Sequence, residues 1–341
     1  MRVVVVSLEV WDDVWRRNQH LVAQLLAQRL VDHVTWVNPP GRSSSSWSPL
    51  PHCDVVTPRR RLPKRAGGLI TTGRAVRRVA DAADVVWVND PTLGVHALPS
   101  RMPAVYDVTD DWRTFDFPPR IVRRVVRAER RLATRAVTVV CSPELARRWA
   151  ERYGVQATVV RNAIDEAAWR AVVPHELPGD SPSIGYVGTL HDARLDVDLV
   201  AELAEDGRFG TVHLVGPDSL SESSRRRLRA HRGVRLHGAL AAAEVPGVLR
   251  GLDVLIAPHV ISDFTLSLDA IKAYEYAISG RPAVATATSG FPDVAGITIA
   301  TRDGFADAVA SSIGYVPPPS AVPTWGERAR EFAQVLAAAC A

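Results

Sequence analysis

Short apolar runs alternate with stretches of helical period along the whole chain. In the first half, residues 3–6, 34–37, 85–88, 104–108, 137–141 and 158–160 are compact runs dominated by valine. Continuous apolar runs of this length, rich in β-branched residues, suit strands buried on both faces. Between them, residues 18–30 and 143–153 space their apolar positions three and four apart, the helical period. Strand and helix taking turns predicts a parallel α/β sheet. A proline-punctuated stretch, residues 171–180, breaks this texture, and a second α/β run follows it. Its strands are expected at residues 184–187, 211–215, 234–236, 254–257, 283–286 and 297–300, and residues 325–340 read as a closing helix. Residues 43–48, mostly serine and followed by Pro49 and Pro51, read as a solvated loop. Residues 59–78 are basic and interrupted by Gly67, Gly68 and Gly73, and the pattern assigns them no element. The expectation is two α/β domains, residues 1–170 and 171–320, with residues 321–341 packing back toward the first.

One strand–helix–strand unit in the second half stands out. The run 253–257 ends at Pro258, and after a short loop Leu268, Ile271, Tyr274 and Ile278 recur at helical spacing. Gly280-Arg281-Pro282 stops that helix and residues 283–286 begin the next strand. Lys272 and Glu275 therefore ride on a helix whose start opens at the carboxyl end of a sheet. Doubly wound proteins bind nucleotides and phosphates there. Lys272 is also one of only two lysines, with Lys64, among 41 basic residues.

Composition narrows the class. The chain has 341 residues, 47% hydrophobic and 23% charged, as in an ordinary globular protein with room for two cores. The net charge is +4 and the pI about 9.2, carried almost entirely by arginine. This balance fits anionic small molecules or an anionic membrane surface better than nucleic acid, and no nucleic-acid partner is expected. The three cysteines, Cys53, Cys141 and Cys340, form no CxxC pair, which suggests neither a disulfide framework nor a zinc site and fits a reducing cytoplasm. Residues 1–7 hold too short an apolar run for a signal peptide and read as a first strand. No stretch approaches the ~20 apolar residues of a membrane span.

Several pieces, taken in order, carry a family resemblance. They are Trp11 and Trp15-Arg-Arg-Asn-Gln-His-Leu21, Tyr106-Asp-Val-Thr-Asp-Asp-Trp112, Cys141-Ser-Pro-Glu-Leu145 and Asn162-Ala-Ile-Asp165. Then come Ile184-Gly-Tyr-Val-Gly-Thr-Leu190, Asp196-Val-Asp-Leu199, His213-Leu-Val-Gly-Pro217, Val234-Arg-Leu-His-Gly238 and Lys272-Ala-Tyr-Glu-Tyr276. Together they resemble the retaining nucleotide-sugar glycosyltransferases of GT-B architecture, family 4-like, in which two Rossmann-like domains face each other across a cleft. The resemblance is nearly continuous over residues 183–293.

The resemblance implies a donor half and an acceptor half. Gly188 ends a strand in a turn whose lack of side chain lets a pyrophosphate approach backbone N–H groups. The family usually continues with an arginine and, a turn later, a lysine. Here Thr189 and Arg194 take those places, so Lys272 is expected to supply part of the missing charge. Glu275 matches the second glutamate of the family's pair, which implies that it holds the donor ribose; a carboxylate accepts from two vicinal hydroxyls at once. The first glutamate is replaced by Ser267, with Asp269 two residues on. The loop from Thr265 through Leu266 and Ser267 to Leu268 is expected to present N–H groups to phosphate or sugar. His237 and Gly238 fall where the family's backbone meets the nucleobase, and His259 lies beside the phosphate end. Bland alternatives stay open: a surface turn with a solvated Arg194, an exposed Lys272–Glu275 ion pair, and structural histidines at His213, His237 and His259.

In the first half, the acceptor candidates are Trp11, Arg17, Asn18 and Asp90, on loops after the first and third predicted parallel strands. Trp11 and Trp15 also suit a helix face packed into core. Asp110 and Asp111 are candidates to orient an acceptor hydroxyl or act as base, or else to cap a turn. No metal and no cofactor is expected beyond the nucleoside diphosphate sugar itself. Residues 118–135 read as a basic amphipathic helix, suited to solvent or to peripheral contact with anionic lipid. The implied function is transfer of a sugar to a glycan, lipid-linked or small-molecule acceptor by a cytoplasmic enzyme, in surface-polysaccharide or antibiotic biosynthesis. A natural-product tailoring transferase, a nucleotide-sugar epimerase and a non-catalytic scaffold share the fold.

Overall fold

The computed structural model describes residues 1–60, 62, 68–169 and 172–341. The expected domain boundary at residues 170 and 171, like Lys64 and Gly67, lies outside the described residues. Two compact units emerge, Met1–Asn162 with Trp325–Ala341, and Ala163–Thr324.

The first unit is built on one sheet. Its strands are β1 (Arg2–Val6), β2 (His33–Val37), β3 (Ser45–Leu50), β4 (Cys53–Thr57), β5 (Val85–Val88), β6 (Ala104–Val108), β7 (Val137–Val140) and β8 (Thr158–Val159). They lie in the order β3-β4-β2-β1-β5-β6-β7-β8. Every pairing is parallel except β3 with β4. The valine runs read correctly as strands because both their faces are covered: β1 is buried from Val3 onward and β5 throughout. Residues 45–50 correct the expectation of a loop. They form an edge strand whose serines stay exposed, so no apolar alternation marks it; its pairing with β4 across a turn at His52 (φ 63°) makes it a strand.

The helices of this unit are α1 (Arg17–Ala27), α2 (Gly68–Ala80), α3 (Pro91–Ala97), α4 (Pro119–Leu132) and α5 (Pro143–Tyr153). Local chemistry sets several of their ends. Ser142 accepts from Leu145 N before Pro143 opens α5, and Gly154 at φ 67° closes it. Residues 59–78, unassigned by pattern, include most of α2, whose buried stripe includes Leu69, Thr72, Gly73 and Val76.

The second unit is a wholly parallel sheet of β9 (Ser183–Val187), β10 (Thr211–Val215), β11 (Val234–Gly238), β12 (Val254–Ala257), β13 (Ala283–Ala285) and β14 (Ile297–Ile299). Its order is β11-β10-β9-β12-β13-β14, so the winding reverses between β9 and β12. The helices are α6 (Val197–Glu205), α7 (Glu222–Arg229), α8 (Val245–Gly251), α9 (Asp263–Ser267), α10 (Ile271–Ser279) and α11 (Phe305–Ser312). One sheet face packs Ile184, Tyr186, Leu214, Ile256 and Val284 against Leu199, Leu203, Phe305 and Val309. The other packs Val187, Val215, Leu255 and Ala285 against Leu249, Ala273 and Tyr276.

The single helix expected after Pro258 is two. Leu268 turns extended (φ −71°, ψ 164°) and ends α9. Asp269 is then buried with its carboxylate accepting the Tyr274 hydroxyl at 3.0 Å, which holds the break. Gly280, at φ 73°, ends α10 where the sequence placed its stop. The chain returns to the first unit as α12 (Trp325–Cys340), where Phe332 meets Trp87 at 4.4 Å and Trp325 stacks on His20 at 5.2 Å.

Candidate functional site

In the second unit the strand ends flanking the reversal between β9 and β12 carry Gly188 and His259, and such a switch point is where doubly wound sheets take ligands. Gly188 has φ +146°, a conformation open to glycine, and donates its N–H to Val215 O at 2.7 Å. A Cβ there would clash with the Lys272 tip, at both its Cε and its Nζ. On the next strand, Gly216 (φ +141°) packs so closely that a Cβ would collide with the Gly188 carbonyl. The turn is therefore backbone-lined, and the Lys272 ammonium rests against it. Lys272 is the second residue of α10, whose start has no side-chain cap, leaving backbone N–H groups there for an anion.

The charges are arranged without internal neutralisation. Lys272 Nζ lies 5.2 Å over the Tyr186 ring and Arg194 Cζ 5.0 Å over the Phe264 ring. Neither cation meets a carboxylate among the described residues, whereas Arg208, Arg225 and Arg302 of the same unit are all ion-paired at 2.6–3.0 Å. The Lys272–Glu275 ion pair left open by the sequence does not form, because Lys272 turns toward Gly188. Glu275 is half-buried without a hydrogen-bond or ion-pair partner among the described residues. Burial raises its pKa, and the nearby Lys272 offsets part of that rise.

Other predicted donor residues have visible duties. Thr189 is exposed and its carbonyl accepts the Tyr186 hydroxyl at 3.3 Å. In the loop whose N–H groups were expected at the donor, Thr265 N donates to Ser262 Oγ at 3.3 Å and Leu266 N to Ser262 O at 2.9 Å, and the hydroxyls of Thr265 and Ser267 are committed to local structure. Thr265 donates to Val260 O at 2.7 Å and Ser267 to Phe264 O at 2.8 Å, both buried; Leu266 is half-buried. His237 Nε2 and His213 Nδ1 are 2.9 Å apart with stacked rings. Burial, then the neighbouring His237 and Arg235, pull His213 down to about 4, so one neutral imidazole donates to the other. Gly238 (φ 76°) accepts from Gly216 N at 2.7 Å. His259 is buried, and burial, then Lys272 and Arg194, pull it down to about 3. The sequence reading missed Tyr186, whose only signal is its place two residues before the glycine turn.

In the first unit, structure revises the acceptor candidates. Arg17 is buried, its guanidinium on both Asp107 oxygens (3.3 and 3.4 Å) and on Arg161 O and Asn162 Oδ1, so it clamps the unit instead of facing a ligand. Trp11 is buried, edge-on to Trp36 at 4.9 Å, and residues 11–15 are not helical; Trp15 is the exposed member of the pair. Asp90 caps α3 by accepting from Thr92 N and Leu93 N. Asn18 is buried with Oδ1 lacking a partner among the described residues.

Asp111 is likewise unavailable as a base. Both oxygens accept from Arg152 at 2.7 Å and one from Arg148 at 3.0 Å. Burial pushes its pKa up, but the bonds from Arg152 and Arg148 outweigh that and hold it below the usual carboxylate range. Asp110 stays half-buried and accepts from Thr109 at 3.1 Å. Its charge reaches Glu9, a carboxylate raised by burial and drawn back by Arg16 at 3.5 Å. No group of three or more acidic, histidine or cysteine side chains suited to hold a metal occurs among the described residues. Likewise, no described helix is long and apolar enough to cross a membrane.

Comparison with known proteins bears on the fold and on the second unit's family. The family profile described as glycosyl transferases group 1 matches residues 181–314, most of the second unit. No curated protein sequence matches the chain significantly. Among solved structures, AviGT4, a glycosyltransferase involved in avilamycin A biosynthesis, is similar with a TM-score of 0.64 at 15% identity, covering 99% of this chain and 98% of that one. HepE of Anabaena in complex with UDP-glucose gives 0.66 at 14%, covering 98% and 94%. WaaG, a glycosyltransferase involved in lipopolysaccharide biosynthesis, gives 0.64 at 15%, covering 98% and 95%. Residues 181–314 are thus a group 1 glycosyltransferase domain, carried in a chain with the two-sheet GT-B fold.

Proposed function

We propose that the chain transfers a sugar from a nucleoside diphosphate sugar, bound by the second unit, to an acceptor held by the first. The observation that carries this reading is the Lys272 ammonium seated on the Gly188 turn with no carboxylate to neutralise it. Burying a cation beside a backbone turn at a switch point is costly unless an anion completes it. A diphosphate does so, and Arg194 adds a second charge. As the bond from the anomeric carbon to the diphosphate breaks, negative charge grows on the leaving oxygen. Lys272, Arg194 and the free N–H groups at the start of α10 are fixed before the reaction to stabilise it. Glu275, without a protein partner, accepts from the ribose hydroxyls.

Because these groups supply the positive charge, we propose a reaction that needs no divalent ion; that it proceeds with retention at the anomeric carbon is proposed from the family resemblance alone. HepE is solved with UDP-glucose, so uridine diphosphate sugars head the donor panel. The acceptor class stays between a glycan, a lipid-linked sugar and a small natural product. On α4, Arg123, Arg124, Arg127 and Arg130 are exposed and unpaired among the described residues, which supports peripheral contact with an anionic lipid surface.

The test is nucleotide release from UDP-, GDP- and TDP-sugars with and without EDTA, followed by NMR of the product's anomeric configuration. Lys272→Ala and Glu275→Ala are expected to lose turnover. Absence of donor binding, with both variants indistinguishable from wild type, sinks the enzyme reading and leaves a scaffold. A product formed without acceptor indicates an epimerase.

A further inference from the structure

We propose that Tyr186 and His259 are positioning residues of the diphosphate site, which together hold the turn at residues 188–189 and seat Lys272 over it. The inference rests on the donor-site reading above. Tyr186 is fully buried on β9, two residues before Gly188. Its hydroxyl donates to Thr189 O at 3.3 Å, bracing the turn from beneath, and its ring lies under the Lys272 ammonium at 5.2 Å. Cation–π attraction then holds Lys272 in place without a carboxylate, which would compete with a phosphate for the same charge.

His259 completes the arrangement from the other side of the switch point, at the end of β12. Tyr186 has given its one proton to Thr189, so its oxygen accepts, and His259 Nε2, 3.4 Å away, carries the hydrogen. The imidazole backbone is anchored by Thr286, which accepts from His259 N at 3.1 Å and donates to His259 O at 2.7 Å. Val260 N donates to Arg194 O at 2.7 Å, and His259 bridges Leu195, so the same segment fixes the Arg194 loop. The ring stands edge-on to Tyr186 (5.6 Å) and Phe291 (5.7 Å). Burial, and then the nearby charges of Lys272 and Arg194, keep it neutral, so it adds no third charge to push Lys272 off its seat. The two side-chain bonds are long, so each contributes little alone. The aromatic seat carries more, and the expected order of effects follows from that.

The experiment is calorimetric titration of the full chain with UDP, GDP and TDP and with the corresponding nucleosides. Tyr186→Phe and His259→Phe each break the relay and keep a ring. Each is expected to lower diphosphate affinity about threefold, with the double variant no worse than either single one. Tyr186→Leu removes the seat and is expected to cost about tenfold, with no further loss in a Lys272→Ala background. Nucleoside affinity stays at the wild-type value throughout. If wild type binds a diphosphate but the variants weaken nucleoside and diphosphate equally, or Tyr186→Leu adds its full loss to Lys272→Ala, the positioning role is overturned and the donor site stands. If wild type binds no diphosphate, the donor-site reading fails and takes this one with it. Should Tyr186→Leu not fold, the two phenylalanine variants decide the question.

Discussion

Replacing Glu275 by glutamine separates two consequences of one carboxylate. In the folded chain Glu275 is half-buried, has no partner among the described residues, and its pKa is raised from 4.5 by burial, with Lys272 opposing. The folded state therefore holds this proton more tightly than the unfolded chain does. Below about pH 4.5 both states are protonated and the group costs nothing; as pH rises toward the folded value, stability falls, and above it the loss is complete. Glutamine keeps the shape and is neutral throughout. Glu275→Gln is thus expected to stabilise the protein at pH 7.5 by about 1 kcal/mol, the low end for an unsatisfied buried polar group because the side chain keeps some water. For a unit of this size that is a rise of about 2–4 °C in Tm. The assay is thermal unfolding of wild type and variant at pH 4, 5.5 and 7.5 in matched ionic strength, with the same samples titrated with nucleoside diphosphates. Binding is expected to move the other way, falling about tenfold as a charge-assisted bond to the ribose is lost. A variant that melts no higher than wild type at pH 7.5, or gains as much at pH 4, refutes the reasoning.

Gly188→Ala places a Cβ on the Lys272 tip and an L-residue at φ +146°; about 1–3 kcal/mol of backbone strain and loss of diphosphate binding are expected, with nucleoside binding kept, read by melting and titration. Asp111→Ala strands Arg148 and Arg152, and should destabilise the first unit by about 3 kcal/mol at pH 7. Because Asp111 titrates below its usual 3.8, that stability is present above 3.8 and lost as pH falls through the folded value. An equal difference between variant and wild type at pH 7 and pH 2 counts against the ion-pair account. Arg17→Ala opens the clamp on Asp107, Arg161 and Asn162 and is expected to lower stability by about 2–3 kcal/mol; Arg17→Lys, unable to reach three acceptors in one plane, recovers little by chemical denaturation.

The sequence by itself determined the elements whose cause is local. Valine runs buried on both faces read as parallel strands, and Ser142-Pro143 and Gly280 mark helix ends because their hydroxyl, ring and backbone freedom act within a few residues. Glycine at residue 188 and Lys272, one of two lysines in the chain, were legible for the same reason: each residue type supplies a specific backbone freedom or charge. What sequence reading could not decide was which charged residue at a strand end is free. Arg17 and Asp111 look like ligand groups on paper, yet Arg17 meets Asp107 and Asp111 meets Arg148 and Arg152, partners tens of residues away. Only the strand order brings those partners together, and the same order sets β9 beside β12. That juxtaposition puts Lys272 on Gly188, Tyr186 under Lys272 and His259 against Tyr186. Pairing of charges is a property of the folded sheet, and so is the absence of a carboxylate partner for Lys272 and Arg194 among the described residues.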